Sequence, residues 1–193
     1  TRAMMPSANV PRTRAVSWMG SPRASDSQIA WSRQVIQRQV RHLALLLDDL
    51  LDVARITQGK LSLRRSSVTL RSIVDAAIET VQSLLDEKQH RLVLEAGGLD
   101  ERVHVDPLRI SQVMSNLLTN AAKYTDPGGR IRLRVQALGG ELAIEVEDNG
   151  AGIPPEALPR MFTMFEQLDG NGDATRGGLG IGLALVKGLV ELH

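Results

Sequence analysis

The chain has 193 residues, 42% hydrophobic, 23% charged and 3% aromatic, which is the composition of a folded protein with an aliphatic core and excludes a disordered or collagenous one. Its 23 Lys and Arg against 22 Asp and Glu leave a net charge of +1, so no broad basic field is available to attract nucleic acid or anionic lipid. Cysteine is absent, which excludes disulfides, thiolate metal sites and a cysteine nucleophile; the four His are scattered, and no apolar run approaches the roughly 18 residues of a membrane span.

Residues 1–25 carry Arg2, Arg12, Arg14 and Arg23 with three Pro and no acid, and show no helical or strand period. They read as a disordered or degenerate segment; Arg and Ser without acid also fit a transit peptide, although the amphipathic period is missing. From Asp26 to about Thr57 the pattern changes. Ile36, Val40, Leu43, Leu47, Leu50 and Ala54 step by 4, 3, 4, 3 and 4, a heptad seam that predicts one helix of roughly 45 to 50 Å. Val35, Leu46, Leu51 and Val53 widen its apolar face towards that of a four-helix bundle, whose other helices must come from a second chain or another segment. Gly59 stands as its C-cap.

Beyond Gly59, helical and period-two patterns alternate. A short strand is expected near Leu61 to Leu70, a helix from Arg71 to about Lys88, and strands at Arg91 to Glu95 and Arg102 to Val105. Asp106-Pro107 opens a further helix, and Gly139-Gly140 joins strands Arg130 to Ala137 and Glu141 to Glu147 as a hairpin. After a loop holding Gly150 and Gly152 come Ala157 to Gln167, a polar stretch to Arg176, and a glycine cluster that starts a final helix near Gly182. The fold class is α+β, a two-layer α/β sandwich preceded by a long helix.

Three features can carry chemistry. In the helix after Asp106, Ile110, Val113, Met114, Leu117, Leu118 and Ala121 define the buried face, while Asn116, Asn120 and Lys123 fall within about 60° of one another along its rim. Two amide oxygens one turn apart can ligate Mg²⁺ and a neighbouring ammonium suits a phosphate; a solvated helix face is the plainer reading. In Glu141 to Gly150, strand parity sends Leu142, Ile144, Val146 and then Asp148 inward, where the carboxylate either caps the next turn or accepts from a ligand amine. Gly177, Gly178, Gly180 and Gly182 lead into a helix N-terminus, a natural phosphate cradle that is neither a Walker A loop nor a Rossmann fingerprint. Between the last two features, Met161 to Gln167 holds both Phe residues and suits either a lid or a core helix.

In this order, Asn116 to Thr125 (Asn-Leu-Leu-Thr-Asn-Ala-Ala-Lys-Tyr-Thr), Asp148 to Ile153 (Asp-Asn-Gly-Ala-Gly-Ile), Met161 to Gln167 and Gly177 to Leu183 resemble the nucleotide-binding boxes of sensor histidine kinases. The resemblance covers about residues 26–193 and implies the ATP-binding sandwich shared with gyrase, the Hsp90 chaperone and MutL. It implies ATP and Mg²⁺ as cofactors, with Asp148 on the adenine amine, Gly150 and Gly152 beside it, and Asn120 with Asn116 holding the metal. Lys123 and Tyr124 would flank the phosphates, Phe162 and Phe165 would anchor the lid, and Gly178, Gly180 and Gly182, with Leu179 among them, would line the triphosphate; Arg176, read from its position alone, either reaches a terminal phosphate or is simply solvated. The long helix resembles the second helix of the family's dimerisation hairpin, which implies a homodimer, a response-regulator receiver domain as partner and a cytoplasmic location, with no nucleic-acid or membrane contact.

The family's phosphoacceptor His is followed by an acid, whereas Leu43, Arg91 and Val105 follow the three internal His here, so no phosphoacceptor is assigned and His42 reads as a bundle-surface residue. The start at Thr1 and the stop at His193, where the family continues into a final hairpin, imply a fragment. The expected divisions are residues 1–25, a dimerisation helix at 26–58 and a C-terminally truncated ATP-binding domain at 59–193. Rival readings are a non-catalytic nucleotide-binding or dimerising regulatory module, an ATPase or serine kinase of the same superfamily, and a scaffold acting through the long helix.

Overall fold

The computed structural model describes residues 26–166 and 179–193. Residues 1–25, Arg176 and Gly178 lie outside them, as does the side chain of His42. The contacts divide the chain into two units, one ending at Arg41 and one from His42 to His193. Helix α1 (Asp26–Thr57) contributes to both. In the first unit Ile29, Trp31, Ile36 and Val40 are exposed.

The second unit continues with β1 (Ser66–Thr69), α2 (Leu70–Glu87), β2 (Arg91–Ala96), β3 (Arg102–Val105), α3 (Pro107–Tyr124), β4 (Arg130–Leu138), β5 (Glu141–Asp148) and α4 (Gly182–Leu192). β2 runs parallel to β4, and β5 antiparallel to it, in one three-stranded sheet; β1 and β3 form a separate antiparallel pair. The β4–β5 hairpin closes with Leu138 opposite Glu141. Gly139 and Gly140 both take positive φ (62° and 90°), which a two-residue turn matched to strand twist requires.

Alternation along β4 explains the two layers. Ile131, Leu133 and Val135 are fully buried on one face, against Leu70, Ile73, Val74 and Ala77 of α2 and Met114, Leu118 and Ala122 of α3. On the opposite face Arg132 pairs with Glu95 and Glu147 at 3.0 and 2.6 Å, and Arg134 with Glu95 and Glu145 at 3.0 and 2.6 Å. This ladder keeps the sheet's outer face polar while adding little stability per pair.

Several expectations change. The strand expected at Leu61 to Leu70 shrinks to Ser66–Thr69, because the preceding residues are committed elsewhere: Leu61 packs on the α1/α4 cluster, and the Arg64 N–H donates to Asp106 Oδ2 at 2.7 Å. Of Met161 to Gln167, residues 161–166 are described and form turns rather than a core helix, after a 3₁₀ turn at Leu158–Arg160. Leu117 is half-buried rather than sealed in the core, while Ala122, not foreseen, is fully buried.

α1 ends where Gly59 sits at φ 62°, with Lys60 N donating to Arg55 O (2.8 Å) and Gly59 N to Ile56 O (2.9 Å), a Schellman closure. Its heptad seam is open in this chain: Leu43 and Leu47 are 58% and 60% exposed, and Ala54 is exposed too. The face that is buried takes in one seam residue, Leu50, and otherwise lies beside the seam. Val53, with Leu50 and Ile56, packs against Val113 of α3 and Leu185, Val186 and Leu189 of α4. Beside it the buried Asp52 takes both guanidinium arms of Arg109, one of them at 3.0 Å, and Gln112 braces Asp52 and Asp49 at 3.3 and 3.2 Å.

Removing one partner of a buried pair strands the other charge, which costs far more than losing an exposed pair. Asp52→Ala is therefore expected to lower the unfolding free energy by about 3 kcal/mol, and Glu147→Ala on the outer ladder by less than about 1 kcal/mol, as read by urea denaturation.

Candidate functional site

Helix α3 supplies one wall of a cavity of about 260 Å³. Its start is fixed by Asp106, whose side chain accepts from Arg109 N at 3.2 Å, and by Pro107 at the first turn. With its apolar face committed to the core, the rim residues Asn120 and Tyr124 face the cavity together with Leu117 and Ala121. Opposite stand Val146 and Asp148 at the end of β5, followed by Gly152 and Ile153. Met161 and Glu166 close one side, and Gly180, Gly182 and Leu183 the other.

Backbone contacts hold these segments together. The Ala151 N–H donates to Tyr124 O at 3.3 Å, and a Cβ on Gly150 would collide with that same carbonyl oxygen. Glycine at 150 is thus what lets the β5 loop lie against the end of α3. At the other side Phe165 N donates to Gly180 O at 3.0 Å; Gly180 has φ 68°, and a Cβ there would stand 2.6 Å from Glu166 O. Arg160 holds Glu166 at 2.5 Å.

Asp148 takes the first of the two roles its parity left open. Its Oδ1 accepts the Gly150 N–H at 2.8 Å, capping the turn, while Oδ2 has no hydrogen bond among the described residues, and the exposed residue is part of the cavity lining. The turn orients the carboxylate and leaves an acceptor for a ligand donor. The N-terminus of α4 has no side-chain cap, so its first amides are available to an anion. One turn deeper than Asn120, Asn116 lies against Gly182 and its Nδ2 is buried without a partner, an orphan donor next to that helix end. No group of three or more His, Asp or Glu among the described residues could hold a metal ion. Of the two amides expected to ligate Mg²⁺, Asn120 lines the cavity and Asn116 is not among its lining residues.

Other expected site residues stand apart from the cavity lining. Phe162 and Phe165 are exposed, and Met161 and Met164 turn inward in their place. Leu179 is exposed beside the glycine turn. Lys123 does not line the cavity; it is half-buried, and burial lowers its pKa, opposed by Asp49 and reinforced by Lys88. Of the lining residues not singled out individually from the sequence, Leu117, Ile153, Met161, Glu166 and Leu183 lie within the four stretches that carry the family resemblance; Val146 lies outside them and shares strand parity with Asp148.

A search against known families matches residues 105–193 to the histidine kinase-, DNA gyrase B-, and HSP90-like ATPases. The circadian input-output histidine kinase CikA of Synechococcus elongatus is 38% identical over 154 residues, 79% of this chain and 20% of its own length. The alginate biosynthesis sensor protein KinB of Pseudomonas aeruginosa is 34% identical over 160 residues, 83% of this chain and 26% of its own. Among solved structures, histidine kinase AdeS of Acinetobacter baumannii superimposes with a TM-score of 0.67 at 21% identity over 88% of this chain and 75% of its own, which shows the fold. Full-length ShkA in complex with AMPPNP reaches 0.71 at 25% identity, over 88% of this chain and 35% of its own. The second unit therefore has the fold of this ATPase superfamily, and residues 105–193 belong to it. Residues 105–193 thus match this ATPase family, the chain is similar to sensor kinases over most of its length, and it spans 20% and 26% of the two relatives compared.

Beside the site, Asp49 lies near Lys123, and its pKa is raised, chiefly by burial, against the Gln112 hydrogen bond. A carboxylate raised above its ordinary 3.8 holds more protons folded than unfolded in the window just above that value, so stability falls as pH rises through it. Asp49→Asn, which keeps the acceptor for Gln112, is expected to be more stable than the parent at pH 7, with the difference shrinking as pH falls towards 3.8 and absent below it; thermal melts across pH check this.

Proposed function

We propose that the chain works as the ATP-binding half of a two-component phosphotransfer reaction. It binds Mg²⁺-ATP in the α3/β5/α4 cavity and transfers the γ-phosphoryl group to a histidine on a partner helix. The bond from the γ-phosphorus to its bridging oxygen breaks, a P–N bond to the imidazole forms, and ADP departs; the phosphoryl group then passes to a receiver aspartate. The observation that carries the reading is that one cavity gathers Asn120 and Tyr124, Asp148 and Gly152, Met161 and Glu166, and Gly180 and Gly182 from four separate stretches of chain. AMPPNP in the related ShkA structure, and the complex of histidine kinase ThkA with response regulator TrrA, favour nucleotide and receiver as substrate and partner.

In this reading the free Oδ2 of Asp148 accepts from the adenine amine, and the apolar walls Leu117, Val146 and Ile153 flank the base. Asn120 and Asn116 hold Mg²⁺, which supplies charge neutralisation between the phosphates when bound. The uncapped α4 amides and Gly180 and Gly182 receive the phosphates, with Leu179 beside them and Tyr124 on the facing wall. A second reading, a nucleotide-binding regulatory module without transfer of its own, is favoured by the three internal His, none of which is followed by an acid.

Asp148→Asn keeps an oxygen for the Gly150 turn but removes the charge. Calorimetric ATP affinity is expected to fall about ten- to hundredfold, and Asn120→Ala to lose Mg²⁺ dependence. A folded chain that binds no ATP would sink both readings, and binding without transfer to a histidine-bearing helix would select the regulatory module.

The open seam of α1 supports homodimerisation through a four-helix bundle. Sedimentation is expected to show a dimer for the parent chain and a monomer for Leu43→Glu/Leu47→Glu, whose side chains touch no core.

A further inference from the structure

We infer that the cleft between the end of α1 and the start of α3 is a second binding site, for a compact polyanion bearing adjacent phosphoryl or carboxylate charges. Its volume, about 610 Å³, exceeds that of the nucleotide cavity, and the two share no lining residue. Arg55, Lys60, Arg64 and Arg109 line it, with Ser62 and Ser66. In a chain of net charge +1 this is a marked local concentration of cations.

Neutralisation within the cleft is incomplete. Its lining carboxylate, Asp106, is buried, with Oδ2 taken by the Arg64 N–H at 2.7 Å and Oδ1 by the Arg109 N–H at 3.2 Å. The guanidinium of Arg109 is held by Asp52. Arg55, Lys60 and Arg64 are left without a carboxylate partner among the described residues, Lys60 donating only to Gln58 Oε1 at 2.8 Å. Arg65 faces elsewhere, onto the carbonyls of Leu192 and His193.

The three cations are also placed on a fixed frame. The Schellman closure sets Lys60, burial of Leu61 pins the linker, and the Arg64–Asp106 bond ties it to the first turn of α3. Like charges held together by covalent and packing constraints gain most from a multivalent counter-anion, with the serine hydroxyls as neutral donors. The charge is confined to one cleft, which fits a small ligand and not an extended polymer.

The test is a titration of the whole 193-residue chain with pyrophosphate, and separately with citrate, at fixed ionic strength, followed by amide ¹H–¹⁵N shifts. Saturable shifts at Ser62, Arg64 and Ser66 are expected, with an affinity about tenfold weaker in Lys60→Gln/Arg64→Gln. Saturation by pyrophosphate alone would assign phosphoryl chemistry; saturation by both would leave the site general for polyanions. Shifts confined to Asn120, Gly180 and Gly182, shifts that never saturate, or equal affinity in the double variant would overturn the inference. Unchanged spectra elsewhere report that the variant is folded, and Arg55→Gln gives an independent readout on the third cation.

Discussion

Helix α3 is buried on two sides at once, and the architecture of the second unit follows from that. Met114, Leu118 and Ala122 close onto the sheet, while Val113 and Leu117 meet α4 and the last turns of α1. Each fully buried side chain of this size contributes about 1.5 to 3 kcal/mol, so the helix can neither rotate nor slide without losing one cluster or the other. The stripe flanking the Val113 and Leu117 face is therefore held in place, and it carries Asn116, Asn120 and Tyr124, of which Asn120 and Tyr124 line the cavity. Core packing thus becomes positional precision at the site.

Glycine acts on the same cavity from its edges. At Gly150 and Gly180 a side chain would strike a backbone oxygen, and the absence of one lets two loops reach α3 and the lid segment closely enough to enclose a ligand-sized space. Asp148 is tuned by the same geometry, because the turn that needs Gly150 also occupies one carboxylate oxygen and orients the other.

Charge is handled differently in three places, and burial decides each case. On the outer sheet face Arg132 and Arg134 share exposed glutamates and keep a sheet surface soluble. At the α1/α3 junction Asp52 and Arg109 are desolvated together, which makes the contact intolerant of losing either partner. A few residues away, Arg55 in the last turn of α1 and Lys60 and Arg64 on the linker after it have no such partner among the described residues. The long helix shows the corresponding apolar asymmetry, with Val53 buried and Leu43 and Leu47 exposed.

Much of this was written in local patterns. Period-two alternation in Arg130 to Leu138, the Gly139-Gly140 turn, Asp106-Pro107 and the helical spacing of Ile110 to Ala121 specify their elements, because each is a contact between near neighbours in the chain. The glycine cluster and the parity of Asp148 likewise marked the site. What no local pattern contained was which residues would meet. Leu61 could not be read as leaving its strand, because the reason lies on α1 and α4; the Met residues of the lid turn inward and its Phe residues outward according to what they pack against; and Lys123 lies near Asp49, some seventy residues away in sequence. The sequence by itself determined the secondary structure and the chemical inventory of the site, through short-range periodicity and turn chemistry. Only the tertiary structure decided which inventory residues face the cavity, because burial and desolvation depend on neighbours that the chain brings together from a distance.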